Sequence, residues 1–374
     1  MRTTPIAGGL ACGLFTLCLS ACAGDDAPYR LGVALSLNEP GAQPAVRAAQ
    51  LAAREINAAG GIGGRRLELV LRDDYANSDS AVGVAERLYG TDVSAVVGGV
   101  YSSVTLAAAP VFNGGRRPVV QLSPSASSPM LSRAGDFSFR LCPSDLAYGE
   151  ALARFASDKN LRRAAVLYVN DAYGRGVRQT FAAEFSRLGG EVVELDPFLA
   201  TSTDVGPYLA RIAREHRAQV IVLAANQSEG LQVLAQVRAA KLGLPILAGD
   251  GMAGAERTDP VAMEGVLVAS GYIVGNPSAA NRKFVAAYQQ AFPRAGPPDQ
   301  GAAATYDAVN LLAKVLGEAG SDRQRVRSAL ARVGNDDPAF EGVIGRVGFD
   351  SLGDVPDLKV RIGVARAGVL VPAE

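Results

Sequence analysis

The feature that most constrains this chain is a regular alternation of short apolar strands with helices, run through twice. Residues 29–37 read as an apolar strand. Residues 43–59 carry helical periodicity and stop at Gly60-Gly61-Ile62-Gly63-Gly64, a glycine run that ends a helix and does not open one. A strand at 67–71, a helix at 80–89, a strand at 95–97, a helix at 103–112 and a strand at 119–122 follow. The pattern restarts after residue 142. Strands are expected at 165–169, 191–195, 220–224, 246–247 and 266–270, with helices at 147–157, 177–188, 205–215 and 228–240 between them. Apolar, β-branched strands separated by helices imply parallel sheets covered on both faces. Two such runs imply an α/β chain of two doubly wound lobes. Ligands in such sheets sit at the carboxyl ends of strands, so the natural site is the cleft between the lobes.

Composition narrows the function. Hydrophobic residues are 48% and charged residues 20%, the balance of a folded chain. Lys+Arg and Asp+Glu are equal at 37 each, which argues against a nucleic-acid partner. The only histidine, His216, sits in Ala213-Arg214-Glu215-His216-Arg217, which reads as a helix end. With one His and few Cys, no metal site is expected. There is no Gly-x-Ser-x-Gly elbow, no Gly-x-x-x-x-Gly-Lys-Ser/Thr loop and no Gly-x-Gly-x-x-Gly opening a helix, so neither a serine hydrolase nor a nucleotide or other cofactor site is indicated.

At the N-terminus, Arg2 precedes a largely apolar run, residues 6–19, too short and too interrupted by Gly to span a bilayer stably. Leu19-Ser20-Ala21-Cys22 then resembles a bacterial lipoprotein signal. The resemblance implies removal of residues 1–21, lipidation of Cys22 and a tether over 22–27, on an exported protein held to a bacterial membrane. The other reading is an ordinary secretory signal with an incidental cysteine. Cys12 and Cys18 leave with either signal. With Cys22 lipidated, Cys142 is the one thiol left, so no internal disulfide is expected.

A set of motifs carries a resemblance over essentially the whole mature chain. They are Glu55-Ile56-Asn57-Ala58-Ala59-Gly60-Gly61-Ile62 with Gly64-Arg65, Asp73-Asp74, Gly98-Gly99-Val100-Tyr101-Ser102-Ser103 and Ser123-Pro124-Ser125-Ala126-Ser127-Ser128-Pro129. Phe139-Arg140 with Asp145, Asn170-Asp171-Ala172-Tyr173-Gly174-Arg175-Gly176, Gly249-Asp250-Gly251 and Tyr306-Asp307-Ala308 complete it. Each is weak alone; their joint order resembles the branched-chain amino acid (Leu/Ile/Val-binding) family of type I periplasmic solute-binding proteins, receptors of ABC importers. The resemblance implies three crossovers, near Leu141-Cys142, Gly271-Tyr272 and Gly348-Phe349. The first lobe would be 28–141 plus 273–348, and the second 142–272 plus 349–374. It also implies a small zwitterionic ligand, a permease and ATPase as partners, no catalysis, and a monomer.

The site residues follow from local sequence and from that likeness. Ser102-Ser103 follows a strand and opens a helix, where free N–H groups and the helix dipole favour a carboxylate. Ser125-Ala126-Ser127 lies in an irregular loop between two prolines. In the family, positions matching Ser102, Ser125 and Ser127 hold the ligand's α-carboxylate and α-ammonium, although serine also caps helices and forms turns unaided. Asp250, between two glycines after a strand, matches the acidic partner of the ammonium. Tyr173 matches a ring placed over the ligand, Asn226 a ligand-facing position, and Tyr101 either walls the side-chain pocket or packs beneath the loop.

Two departures from the family pattern bear on the ligand. The loop Leu37-Asn38-Glu39-Pro40-Gly41-Ala42-Gln43 is short and lacks the aromatic residue that often covers the ligand, and Asn226 stands where Leu/Ile/Val binders carry an aromatic. Glu39 could favour a polar or cationic ligand, or be a solvated turn residue. Two further readings remain open. One is a receptor for another solute, such as an amide or aromatic acid. The other is a sensor or partner-regulating lipoprotein of the same fold.

Overall fold

The computed structural model describes residues 27–215 and 217–373. The expected signal, Cys22, most of the tether and His216 lie outside these residues. The first sheet contains β1 (Tyr29–Leu35), β2 (Leu67–Asp73), β3 (Ala95–Gly98), β4 (Val120–Ser123) and β5 (Ser138–Arg140), in the order β2-β1-β3-β4-β5 and parallel throughout. Between its strands run α1 (Gln43–Ala58), α2 (Ser78–Tyr89) and α3 (Ser102–Asn113). The second sheet contains β6 (Arg163–Val169), β7 (Glu191–Phe198), β8 (Val220–Ala224), β9 (Ile246–Ala248) and β10 (Leu267–Ser270), all parallel. Its helices are α4 (Asp145–Asp158), α5 (Ala172–Arg187), α6 (Gly206–Glu215), α7 (Gln227–Ala239) and two short turns, α8 (Ala255–Thr258) and α9 (Pro260–Met263). The chain then forms α10 (Ala279–Ala291), α11 (Gln300–Ala319), α12 (Arg323–Arg332) and the small antiparallel pair β11 (Phe340–Glu341) and β12 (Arg346–Val347). β13 (Arg361–Arg366) and β14 (Val369–Pro372) add to the second sheet, giving the order β14-β13-β10-β9-β8-β6-β7. These last two strands are antiparallel, so the second sheet is mixed at one edge.

Apolar patterning explains these elements. Leu31, Val33 and Leu35 on one face of β1 and Gly32 and Ala34 on the other are all buried, as a strand covered on both faces requires. α1 ends where Gly61 adopts φ +77°; a Cβ there would lie 2.2 Å from the Arg65 carbonyl oxygen, so only glycine fits the turn. Three buried clusters result. The first core gathers Leu31, Leu122, Phe139, Leu312 and Phe349, the second Val166, Phe181, Val222 and Leu247, and a smaller cluster of Ala34, Leu88, Val96 and Phe112 covers the other face of the first sheet. Each sheet reverses strand order beside its first strand, between β1 and β3 and between β6 and β8. The carboxyl ends at these two switch points face each other across the interlobe cleft, which places the loops after β1, β3, β6 and β8 in it.

Packing puts the third passage between lobes later than Gly348-Phe349. Phe349, Val355 and Leu358 pack in the first core, whereas Val360 and Ile362 pack against the second. The physical reason is twofold. The Phe349 ring meets Phe139 edge-on at 5.1 Å, and Asp354 reaches the guanidinium of Arg140. Segment 349–358 therefore belongs to the first lobe. Leu141 packs in the first core and Tyr148 in the second; Ala269 packs in the second and Tyr272 in the first. No helix among the described residues is long and apolar enough to cross a membrane.

Arg140 is a fully buried cation of the first lobe. Its side chain is 0% exposed and donates to Asp354 Oδ1 at 2.7 Å, to the Ser127 and Ser128 carbonyls at 2.7 and 3.0 Å, and to Ser132 Oγ. Removing one partner of a buried pair leaves the rest uncompensated. Arg140→Ala is expected to cost about 3–5 kcal/mol in urea denaturation. Asp354→Asn, on a partner 22% exposed, should cost clearly less.

Candidate functional site

The loop after β1 is held by the Asp73-Asp74 pair. Asp73 accepts from the Leu37 and Tyr75 N–H groups and from Asn38 Nδ2, while the Ser36 hydroxyl donates to Asp74 Oδ1 at 2.6 Å. That scaffold carries Glu39 and Gly41 to the cleft edge. Gly41 comes so near Gln227 that a Cβ on it would stand 3.3 Å from the carboxamide. α3 of the first lobe abuts α5 of the second. Arg257 donates to Asp299 Oδ2 at 2.5 Å and to the Pro297 carbonyl at 2.8 Å, linking the second lobe to the N-terminus of α11. The lobes are shut over a narrow cavity.

Ser102, Ser125, Ser127, Tyr101, Tyr173, Asn226 and Asp250 all line that cavity. Ser103 and Ala126 do not. Ser103 lies half-buried in the first turn of α3. Ala126 is 1% exposed and donates its N–H to Ser123 Oγ at 2.8 Å. Tyr101 is the N-cap of α3 and makes no side-chain cap, so the first N–H groups of the helix are left for another acceptor. Ser102 Oγ accepts the Ser128 N–H at 3.1 Å, which leaves its own proton to donate. The Ser123 hydroxyl donates to Gly99 O at 2.7 Å and so ties the two serine-bearing loops together.

Across the cavity, Asp250 is 5% exposed, and its Oδ1 has no hydrogen-bond partner. Gln300 Nε2 approaches Oδ2 at 3.4 Å. Burial pushes the Asp250 carboxyl up to about 7, with the Tyr173 hydroxyl and Gln300 pulling the other way. Tyr173 Oη accepts the Gly251 N–H at 2.8 Å. The two glycines beside Asp250 make room for that ring: a Cβ on Gly249 would stand 2.4 Å from its hydroxyl, and one on Gly251 2.9 Å from its edge. Asn226 caps α7, donating its N–H and Nδ2 to Glu229 Oε1 at 2.9 and 2.8 Å. Its amide therefore has a structural duty as well as a place on the cavity wall.

Sequence reasoning gave no site role to Gln227, Gly41, Gln300 or Asp145. Gln227 and Gly41 close the cleft edge. Gln300 opens α11 behind the N-cap Asp299, a signal readable in Pro297-Pro298-Asp299. It accepts from the Ser270 hydroxyl at 2.9 Å and from the Gly271 N–H, so one side chain joins the second lobe-to-lobe passage to Asp250. Asp145 lies behind the cavity wall. It is 0% exposed and both carboxyl oxygens lack partners. Its N–H donates to Ser127 O at 2.8 Å, and burial first, then the nearby Asp250 charge, hold its carboxyl well above the usual range.

An acid near 7 when folded and near 3.8 when unfolded takes up a proton on folding between those values, so the stability it lends is present at low pH and lost as pH rises through 7. Ligand-free protein is expected to lose stability between about pH 4 and 7 in denaturant titrations. Asp250→Asn should flatten that fall by at most roughly 4 kcal/mol, with Asp145 and Asp307, also raised by burial, supplying what remains.

Comparisons with known proteins agree with this architecture. Residues 28–363 match a family model described as periplasmic binding protein. The Leu/Ile/Val-binding protein BraC3 of Rhizobium johnstonii is 29% identical over 335 residues, 87% of this chain and 88% of that protein. The branched-chain amino acid transporter substrate-binding protein LivJ of Streptococcus pneumoniae, solved with isoleucine, superposes with a TM-score of 0.83 at 27% identity, covering 93% of this chain and 99% of that one. A solute-binding protein of an ABC transporter from R. palustris, solved with benzoate, shares the fold at TM-score 0.82 and 21% identity, covering 92% and 95%.

Proposed function

The chain belongs to the periplasmic binding protein family, small-molecule receptors that work with ABC transporters, and we propose that it captures an amino acid and delivers it to a permease. The observation that carries the reading is an unpartnered, buried carboxylate oxygen on Asp250, set across one narrow cavity from the open N-terminus of α3. An anion-favouring end opposite an ammonium-favouring end suits a zwitterion.

In this reading the ligand docks by its carboxylate on α3, Ser102, Ser125 and Ser127 of the first lobe. The second lobe then closes, bringing Asp250 and Tyr173 to the ammonium. Contacts made only in the closed form supply the closure energy. Charge-assisted hydrogen bonds contribute about 1.5–3 kcal/mol each, and several together reach the roughly 8 kcal/mol of a micromolar complex. No bond is made or broken. The protein acts as a monomer. It is exported and held to the membrane by lipid on Cys22; Cys22→Ser is expected to move it from the membrane fraction to the soluble fraction.

Protein stripped of carried-over ligand by partial unfolding and refolding is expected to gain thermal stability with one class of amino acid. Asp250→Ala should abolish the shift, and Ser102→Ala should weaken binding roughly tenfold or more. Affinity should fall by up to about tenfold per pH unit below 7, as Asp250 takes up its proton. A response to aromatic acids or amides with none to amino acids would overturn the amino acid assignment.

A further inference from the structure

With the α-carboxylate on α3 and the α-ammonium on Asp250, the rest of the cavity wall decides which side chain fits. Val100 is the one branched aliphatic residue that lines it, and no Leu, Ile, Phe or Met does so among the described residues. No Lys or Arg lines it either, so a side-chain carboxylate would be buried without a counter-ion. The second acid on the wall, Asp299, is already engaged: Oδ1 accepts the Ala302 N–H at 2.8 Å and Oδ2 accepts from the Arg257 guanidinium at 2.5 Å. A side-chain cation would therefore find no free carboxylate there beyond Asp250. The closed void is about 50 Å³, well under the roughly 150 Å³ that admits a benzene ring to a protein core; it suits a short side chain.

Uncharged hydrogen-bonding groups remain. Gln227, the first residue of α7, donates Nε2 to the Ala253 carbonyl at 2.8 Å, and its Oε1 accepts no hydrogen bond among the described residues. A Cβ on Gly41 of the first lobe would stand 3.3 Å from that oxygen, so the carboxamide lies at the edge where the two lobes meet. Tyr101, on the same wall, makes no side-chain hydrogen bond among the described residues, and burial keeps its hydroxyl protonated and able to donate. We propose that the receptor selects amino acids whose short side chain ends in an uncharged hydrogen-bonding group, a hydroxyl or a carboxamide, and that Gln227 is the residue that reads it. The inference rests on the amino acid reading above. A ligand O–H or amide N–H donates to Gln227 Oε1, and a ligand oxygen accepts from Tyr101 or from the second Nε2 proton. A valine or leucine side chain would cover the Gln227 oxygen with hydrocarbon and leave it unpaired. A site built to bond a polar group rejects the analogue that lacks it.

The test compares two pairs of near-identical shape, threonine with valine and asparagine with leucine, by calorimetry on the stripped protein. In at least one pair the polar member is expected to bind at least about tenfold tighter than its partner. Gln227→Leu should bring that ratio close to one. The ratio is read first on the unaltered protein, so a variant that misfolds does not remove the test. Valine and leucine binding as tightly as threonine and asparagine, or lysine or glutamate binding tighter than either, overturns the inference and leaves the amino acid reading standing. A polar preference that survives Gln227→Leu in folded protein overturns the role of Gln227. Binding of benzoate or acetamide with no amino acid bound overturns the amino acid reading and the inference together.

Discussion

Much of the first lobe's half of the site depends on one buried guanidinium. Arg140 sits at the end of β5 with no exposed side-chain surface and gathers the Ser127 and Ser128 carbonyls, Ser132 and Asp354 around itself. A cation so enclosed must have its donors satisfied, and here they are satisfied by a loop with no regular structure of its own. That loop's carbonyls point inward to Arg140, which leaves the Ser125 and Ser127 side chains free to face the cleft. The same guanidinium holds Asp354 and so keeps segment 349–358 on the first lobe. The serine loop and the late third passage are thus two results of one desolvated charge.

The second lobe solves a different problem. It must present a carboxylate to a cavity while that carboxylate is nearly dry. Asp250 is kept in place by its neighbours and not by a counter-ion: Gln300 approaches one oxygen, Tyr173 is seated on the next backbone N–H, and the other oxygen is left open. Asp145, behind the Ser127 contact, adds a second buried acid to the same region. Burial of unpaired acids disfavours the ligand-free closed form, and a bound cation relieves it. The electrostatics of an empty closed cleft therefore oppose closure, and ligand binding supports it.

A good part of this was legible in the chain itself. Strand and helix periodicity located β1 to β4 and β6 to β10 because most are local runs of buried apolar residues, and the half-buried edge strands β2 and β7 keep enough Leu and Val to read as strands. The cavity-lining places of Asp250, Gly251, Tyr173, Ser102, Ser125 and Ser127 were legible as polar or small residues in loops that follow strands. What was not legible depends on distant partners. β5 is three residues long and reads as a strand only because β4 lies beside it. Gln300 lies far along the chain from Asp250, and its amide becomes meaningful only once α11 starts at the lobe-to-lobe passage. The third passage was misplaced because nothing local in Gly348-Phe349 reports that Phe349 meets Phe139, some two hundred residues earlier. Asn226 was read as a wall residue, and its bonds to Glu229 add a helix-capping duty that spacing alone left open.

Gly249 and Gly251 have ordinary backbone angles, so their need to be glycine is one of volume. The volume at Gly249 is taken by Tyr173, and that at Gly251 by Tyr173 and by the Ala225 carbonyl oxygen, 2.6 Å from where a Cβ would stand. Evolution can therefore enlarge neither glycine while the ring stays. A smaller residue at 173 would release Gly249, together with the seat of Asp250, but not Gly251. Positions 173 and 249 form a single heritable unit, and a lineage moving to a new ligand would be expected to exchange them together with Gly251 retained.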